Sequence, residues 1–362
     1  MCCGMCCNNI LMYYHTDYKD SGTLMKFDVN DKDFSIWLSE NISAIEGYYY
    51  KAATQNKCYL CDKLCSSFCN SHSIPQFVLE NLGNNGIYSN YSDAADIDIL
   101  KHFTGKKNAG TFEIICRDCD SSFFADYEKK EMYNDLSKPL SENILSQIAI
   151  KNHLYAISKA NYELSHFMAI HDYIKDNKPE FLTYFNISAE IPMKSACKKL
   201  QMNENNYAYD RYYGDKNIPV YEILEQIELP YTVPIALQLA IPVHKGLSGE
   251  YINVFVDGVL YMLHVCIFPL ENKSLILLFA HSTDDKYKTF KTDINKLSLN
   301  ENLSIINYII FQYSEDFYCN TKILEQIKKD SHFVNLCRSN LLCDLTQQKN
   351  TNIPNILKEA VL

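Results

Sequence analysis

Two Cys-x-x-Cys motifs, Cys58-Tyr-Leu-Cys61 and Cys116-Arg-Asp-Cys119, constrain this chain more than any other feature. Two such pairs can bring four thiolates around one tetrahedral ion, and zinc is the ion that four sulfurs at this spacing select. The competing reading is four unrelated buried thiols. A segment that closes on a metal folds as a small, loop-rich module. In such modules zinc supplies on the order of 10–16 kcal/mol of apparent folding free energy. The chain has 15 Cys in all, an odd number. Met1 to Asn9 lack a continuous apolar run, and Tyr251 to Leu270 are broken by a turn-forming Asp257-Gly258. Neither a leader nor a membrane span is expected, and the cytoplasm is the expected compartment. There the cysteines serve as metal ligands and buried thiols and not as disulfides.

The first Cys pair sits in a short knuckle. The second follows a β-prone run, Phe112 to Ile115, and leads into a helix expected from Asp120 to Tyr133. A knuckle, a strand pair and a helix make the layout of a treble-clef zinc module. Cys65 and Cys69 lie near the first pair, as extra ligands or, more simply, as small buried residues.

Around this module the chain divides by pattern. Residues 1–52 hold a terminal cluster, Cys2, Cys3, Cys6 and Cys7, followed by an amphipathic helix. The cluster is a metal site, a lipid anchor or a frayed tail without a role, the last being favoured. The helix starts at Asn30 or Asp31, places Phe34, Trp37, Leu38, Ile42 and Ile45 on one face, and stops at Gly47. Residues 53–140 are the zinc module. Residues 141–215 are a helical connector: apolar residues recur at helical spacing from Ile144 to Ile174, as two helices or one kinked helix, until Pro179 interrupts them. The Tyr-, Asn- and Asp-rich stretch at 180–216 is expected to be irregular. Residues 216–362 read as strands (233–243, 251–256, 259–268 and 274–281) and then helices (285–298, 302–314, 320–329 and 332–345). That order predicts an α+β fold with a C-terminal antiparallel sheet and flanking helices.

Between the Cys pairs lies Ser71-His72-Ser73-Ile74-Pro75, and Cys119 is followed by Asp120, Phe123, Phe124, Tyr127 and Glu128. This combination resembles the zinc-containing His-Asn-His (HNH) endonucleases, in a branch with Ser-His-x-Ile-Pro and Cys-x-x-Cys-(Asp/Glu). The resemblance covers about residues 55–135. It implies that His72 is the general base that activates water, and that Asp120 binds a catalytic Mg²⁺ or Mn²⁺ beside the structural Zn²⁺. Ser71 stands where the family has Asp or His as a metal ligand. Asn108 is nearest to the Asn that orients the base, but lies further from Cys116 than the family pattern places it. Glu128 is a weaker candidate for a further ligand, with a surface salt bridge the simpler role.

Elsewhere, Glu163-x-x-His166 with His171 imitates a helical metal motif but is expected to be a solvated face. His244, His264 and His281 are expected to be sheet residues. Phosphate-loop and nucleophile-elbow motifs are absent. The net charge of −10 offers no global basic excess for gripping nucleic acid. Two functions follow. One is a metal-dependent endonuclease cleaving DNA, an antiphage effector gated when residues 216–362 sense a protein, a small molecule or another protomer. The other is a zinc-stabilised binding or scaffold protein that does not cleave. Neither involves a membrane.

Overall fold

The computed structural model describes residues 32–41, 43–45, 56–82, 87–90, 103–105, 109–214, 218–254, 260–283, 285–313, 317–319, 323, 343–350 and 355–358. Helix α1 (Lys32–Glu40) buries Phe34. The Cys-bearing region is built from β1 (Ser71–His72), α2 (Gln76–Glu80), β2 (Ile87–Asn90), β3 (Phe103–Gly105), β4 (Thr111–Phe112) and α3 (Arg117–Phe123). Two long helices follow, α4 (Glu142–Asn177) and α5 (Leu182–Gly214). The rest comprises β5 (Tyr221–Leu229), β6 (Ile235–Lys245), β7 (Met262–Pro269), β8 (Ser274–His281), α6 (Tyr287–Ile294), α7 (Leu299–Tyr313), β9 (Tyr318–Cys319) and β10 (Cys343–Asp344).

The α+β expectation holds: a Cys-bearing N-terminal region, a helical middle and a C-terminal antiparallel sheet flanked by helices. Among the described residues the main sheet runs β3-β2-β9-β6-β7-β8-β5, with β10 parallel to β6. Strands β2 and β3 come from between the two Cys pairs. They join the sheet through β9, where Ser89 faces Cys319. Strand β8 is buried at every position, because both faces of the sheet are covered. Val265, Ile267, Ile276 and Leu278 face α6 and α7, packing with Phe290, Ile306 and Ile309. Cys266, Phe268, Leu275, Leu277 and Phe279 face the other way, against Ile74, Phe124 and Tyr127 of the Cys region and Ile144 and Ile148 of α4. Helix α4 is therefore enclosed: residues 147–154 are all buried.

Several expectations are corrected. Residues 182–214 are a helix, not irregular chain. The apolar seam there is thin, with Phe185, Ala189 and Ala196 packing on Phe167, Ile170 and Ile174 of α4. Tertiary packing holds this polar segment helical, even with Pro192 inside it. The first sheet strand, Tyr221–Leu229, lacks the strict alternation expected of a strand and was not anticipated. Cys343 and Asp344 pair with β6 as a strand and not as a helix end, and α6 and α7 lie where the first two C-terminal helices are expected. The Asp257-Gly258 turn, the cluster Cys2, Cys3, Cys6 and Cys7, and most of 320–342 lie outside the described residues.

Gly110 closes the turn before β4. Its φ is +63°, and an added Cβ would lie 2.6 Å from Ser73 Oγ and 3.1 Å from Tyr318 Oη. Ser73 also donates its N–H to the Gly110 carbonyl at 2.8 Å, so neither side can retreat. Gly110→Ala is expected to lower stability by about 2 kcal/mol, from left-handed strain plus overlap. Urea denaturation checks this; an unchanged midpoint would show that the turn tolerates a side chain.

Candidate metal centre

The four predicted zinc ligands converge: ligand atoms of Cys58, Cys61, Cys116 and Cys119 all lie within 4.8 Å of one another. The knuckle is closed by a Lys57–Leu64 bridge. The Cys58 N–H donates to the Lys63 carbonyl at 3.0 Å, and the Asp62 N–H to the Cys58 carbonyl at 2.9 Å. The turn passes through Asp62 at φ +56°, a left-handed conformation that Asp adopts more readily than most residues. Cys116 caps α3 and Cys119 lies in its first turn. That helix begins three residues before Asp120, where it was expected to start, and stops at Phe123; residues 130–133 form a separate 3-10 turn. The knuckle is anchored to α5 by the Tyr207 hydroxyl, which donates to the Tyr59 carbonyl at 2.8 Å.

The donor set fits zinc. Four sulfurs about 2.3 Å from a tetrahedral ion stand about 3.8 Å apart; Cys61 Sγ and Cys116 Sγ are separated by 3.9 Å. The Cys116 N–H donates to Cys58 Sγ at 3.2 Å. Burial raises the Cys58 thiol, but N–H groups of Cys116, Cys61 and Leu60 outweigh it and bring it down to about 7. Cys119 is pushed well up, first by burial and then by hydrogen bonds with the neighbouring sulfurs. Four sulfurs this close share protons until a cation neutralises them, and a bound dication deprotonates them outright. The cluster is consistent with a structural Zn²⁺ site.

The residues of the expected catalytic site are distributed differently. Strand β1 pairs antiparallel with β4, Ser71 opposite Phe112 and His72 opposite Thr111. Ser71 is buried and His72 half-buried. The Ser71 hydroxyl donates to Asp120 Oδ1 at 2.5 Å, so these two do meet. Cys69 is half-buried and donates its thiol to Asp120 Oδ2 at 3.3 Å. Cys65, also half-buried, donates to the Lys63 carbonyl. Asn108 lies outside the described residues.

The strongest partner of Asp120 is Lys151, which no sequence pattern singled out. Its Nζ lies 3.0 Å from Asp120 Oδ1 and 2.9 Å from Glu128 Oε1, with a side chain that is 0% exposed. It also sits 3.9 Å from the centre of the Phe124 ring, a cation–π contact. Burial raises the Asp120 carboxyl, but Lys151, Ser71 and Cys69 outweigh it and hold it below the usual range. Glu128 is therefore not a lone surface partner: it shares a buried ammonium with Asp120.

A second cluster was missed. His153 of α4, Asp210 of α5 and His264 of β7 place ligand atoms within 4.8 Å of one another, and all three are buried. His153 Nε2 lies 2.8 Å from Asp210 Oδ2. Burial, then the nearby His153, lower His264 to about 3, with Asp210 opposing. Asp210 is raised by burial but held below its ordinary range by the His153 hydrogen bond and charge. The only hint in sequence was Lys151-Asn152-His153 interrupting an apolar helical run. The imitation motif of α4 is not a uniformly solvated face either: His166 is buried and stacks on Tyr162, while His171 is half-exposed beside Asp172.

Compared with known protein families, characterised proteins and solved structures, the chain matches none. Fold and site alone define its class: an α+β protein with a four-cysteine candidate metal centre packed on one face of a largely antiparallel sheet. No helix among the described residues is long and apolar enough to cross a membrane.

Proposed function

We propose that this chain is a zinc-stabilised binding or scaffold protein in which the HNH-like residues serve structure and not cleavage. One observation carries the reading: the carboxylate that would hold a catalytic metal is occupied by the Lys151 ammonium. A divalent ion at Asp120 would have to displace a fully buried cation or sit beside it. At about 4 Å and an effective dielectric near 20, that repulsion is roughly 8 kcal/mol for a double charge. The Ser71 hydroxyl adds a donor where a ligand is needed. On this reading the C-terminal sheet and its helices engage the partner, a protein or another protomer.

A second reading rests on a separate observation. Ser71 and Asp120 meet at 2.5 Å, where the family resemblance puts the metal, with His72 next in the chain as base. Lys151 belongs to α4, the helix between the Cys module and the C-terminal sheet, so a shift of α4 would bare the carboxylate. The chain would then be a DNA endonuclease, an antiphage effector gated by its C-terminal half.

A plasmid-cleavage assay with Mg²⁺ or Mn²⁺ separates the two, using wild type and His72→Ala at equal zinc content. The scaffold reading predicts intact plasmid with both. Cleavage by wild type and none by the variant would replace it with the nuclease.

A further inference from the structure

We infer that His153, Asp210 and His264 form a second zinc site, buried where α4, α5 and β7 meet, and that it pins the helical pair to the sheet. Their exposures are 1%, 6% and 2%, so the site is closed to a substrate and its role is structural. The donor set, two imidazoles and one carboxylate, suits zinc and not Mg²⁺ or Ca²⁺, which favour all-oxygen shells. The ring separation fits as well. Two imidazoles bound through one nitrogen each to a tetrahedral ion stand about 5 Å apart, centre to centre; the His153 and His264 rings are 5.5 Å apart.

The cluster lies among other buried polar groups. His153 Nδ1 and His281 Nε2 are buried without a hydrogen-bond partner among the described residues. The Tyr221 ring borders the cluster, 6.0 Å from the His264 ring and 5.8 Å from that of His281.

The surroundings also prepare His264 to bind. A hydrogen-bonded chain runs from His264 Nδ1 to Asn152 (3.1 Å), on to Gln238 (3.0 Å) and then to the Tyr127 hydroxyl (2.8 Å). Tyr127 also reaches the Ser73 carbonyl at 3.2 Å. Amide oxygen and nitrogen are interchangeable by rotation, so this chain can run in either direction. In one direction His264 donates Nδ1–H to the Asn152 carbonyl, Asn152 donates to Gln238, Gln238 to the Tyr127 oxygen, and Tyr127 to Ser73. Every member is then satisfied and His264 Nε2 carries a free lone pair. An acceptor holding the far N–H of an imidazole is the usual outer support of a metal-bound histidine. The competing arrangement is a metal-free His153–Asp210 ion pair, joined at 2.8 Å.

The test uses the full chain, dialysed and then titrated with Zn²⁺. Two equivalents are expected to bind tightly, and zinc-edge X-ray absorption should show sulfur together with imidazole scattering. Asp210→Asn keeps the shape and one hydrogen bond to His153 but is a poor ligand; it should retain one equivalent with a sulfur-only shell. A single equivalent with sulfur-only scattering in the wild type overturns the proposal without reference to any variant. So does an Asp210→Asn protein that still binds two.

Discussion

Cys116→Ser is expected to unfold the Cys-bearing region and release its zinc. Cys116 is one of the four candidate ligands, stands at the N-cap position of α3 and donates its N–H to Cys58 Sγ. Zinc contributes on the order of 10–16 kcal/mol to small modules, whereas a whole domain retains only about 5–15 kcal/mol. Even a partial loss of affinity therefore exceeds what the region can spare. The damage should spread, because Ile74, Phe124 and Tyr127 cover Phe268 and Leu277 of the sheet. Metal analysis should show one zinc fewer than wild type, and limited proteolysis should cut within residues 56–140. Cys65→Ser is the control: half-buried, with a thiol that donates to the Lys63 carbonyl, a bond that serine can also make, it should change stability by less than about 1 kcal/mol. A Cys116→Ser protein with wild-type zinc and protease resistance would sink the four-sulfur assignment.

Lys151→Met should cost about 3–5 kcal/mol, the range for removing one partner of a buried ion pair. The volume is nearly kept, so the loss is electrostatic: Asp120 and Glu128 lose their shared cation. Part of Glu128 is solvated, which favours the lower end. Asp120→Asn in the same chain should recover some of the loss, since the two changes touch one network. Urea denaturation of the four proteins of this cycle reads the coupling directly. Equal stability of Lys151→Met and wild type would mean that the ammonium holds nothing in place, and the structural reading of Asp120 would fall with it.

How legible the molecule was in its sequence depended on how local each signal is. The paired Cys-x-x-Cys motifs fix sulfurs three residues apart, so their convergence needed only one long-range closure. Helix α4 and strand β8 carry strong local patterns and were legible for the same reason. Helix α5 was not: its fully buried apolar residues are only Phe185, Ala189 and Ala196, and its other apolar contacts, Leu182, Met193, Leu200, Tyr207 and Tyr213, are partly buried and polar-flanked. Lys151 and His153, hinted at only by polar residues inside an apolar run, were not legible for a deeper reason. A charged residue on a helix is ordinarily a solvated one. Only the packing of α4 between the Cys module, α5 and the sheet turns both into buried partners, of Asp120 and Asp210, 31 and 57 residues away. The roles of Ser71 and Asp120 turned on that same unseen lysine.

Four cysteines around one zinc ion are expected to hold the N-terminal region together. Cobalt substitution tests this most directly, since Co²⁺ takes the zinc geometry and reports its ligands by colour. Full-length protein reconstituted with Co²⁺ should show intense tetrahedral bands with a strong thiolate-to-metal charge-transfer absorption. The charge-transfer band should vanish in Cys116→Ser. A folded wild-type protein that shows no thiolate charge transfer at saturating Co²⁺ would contradict the account.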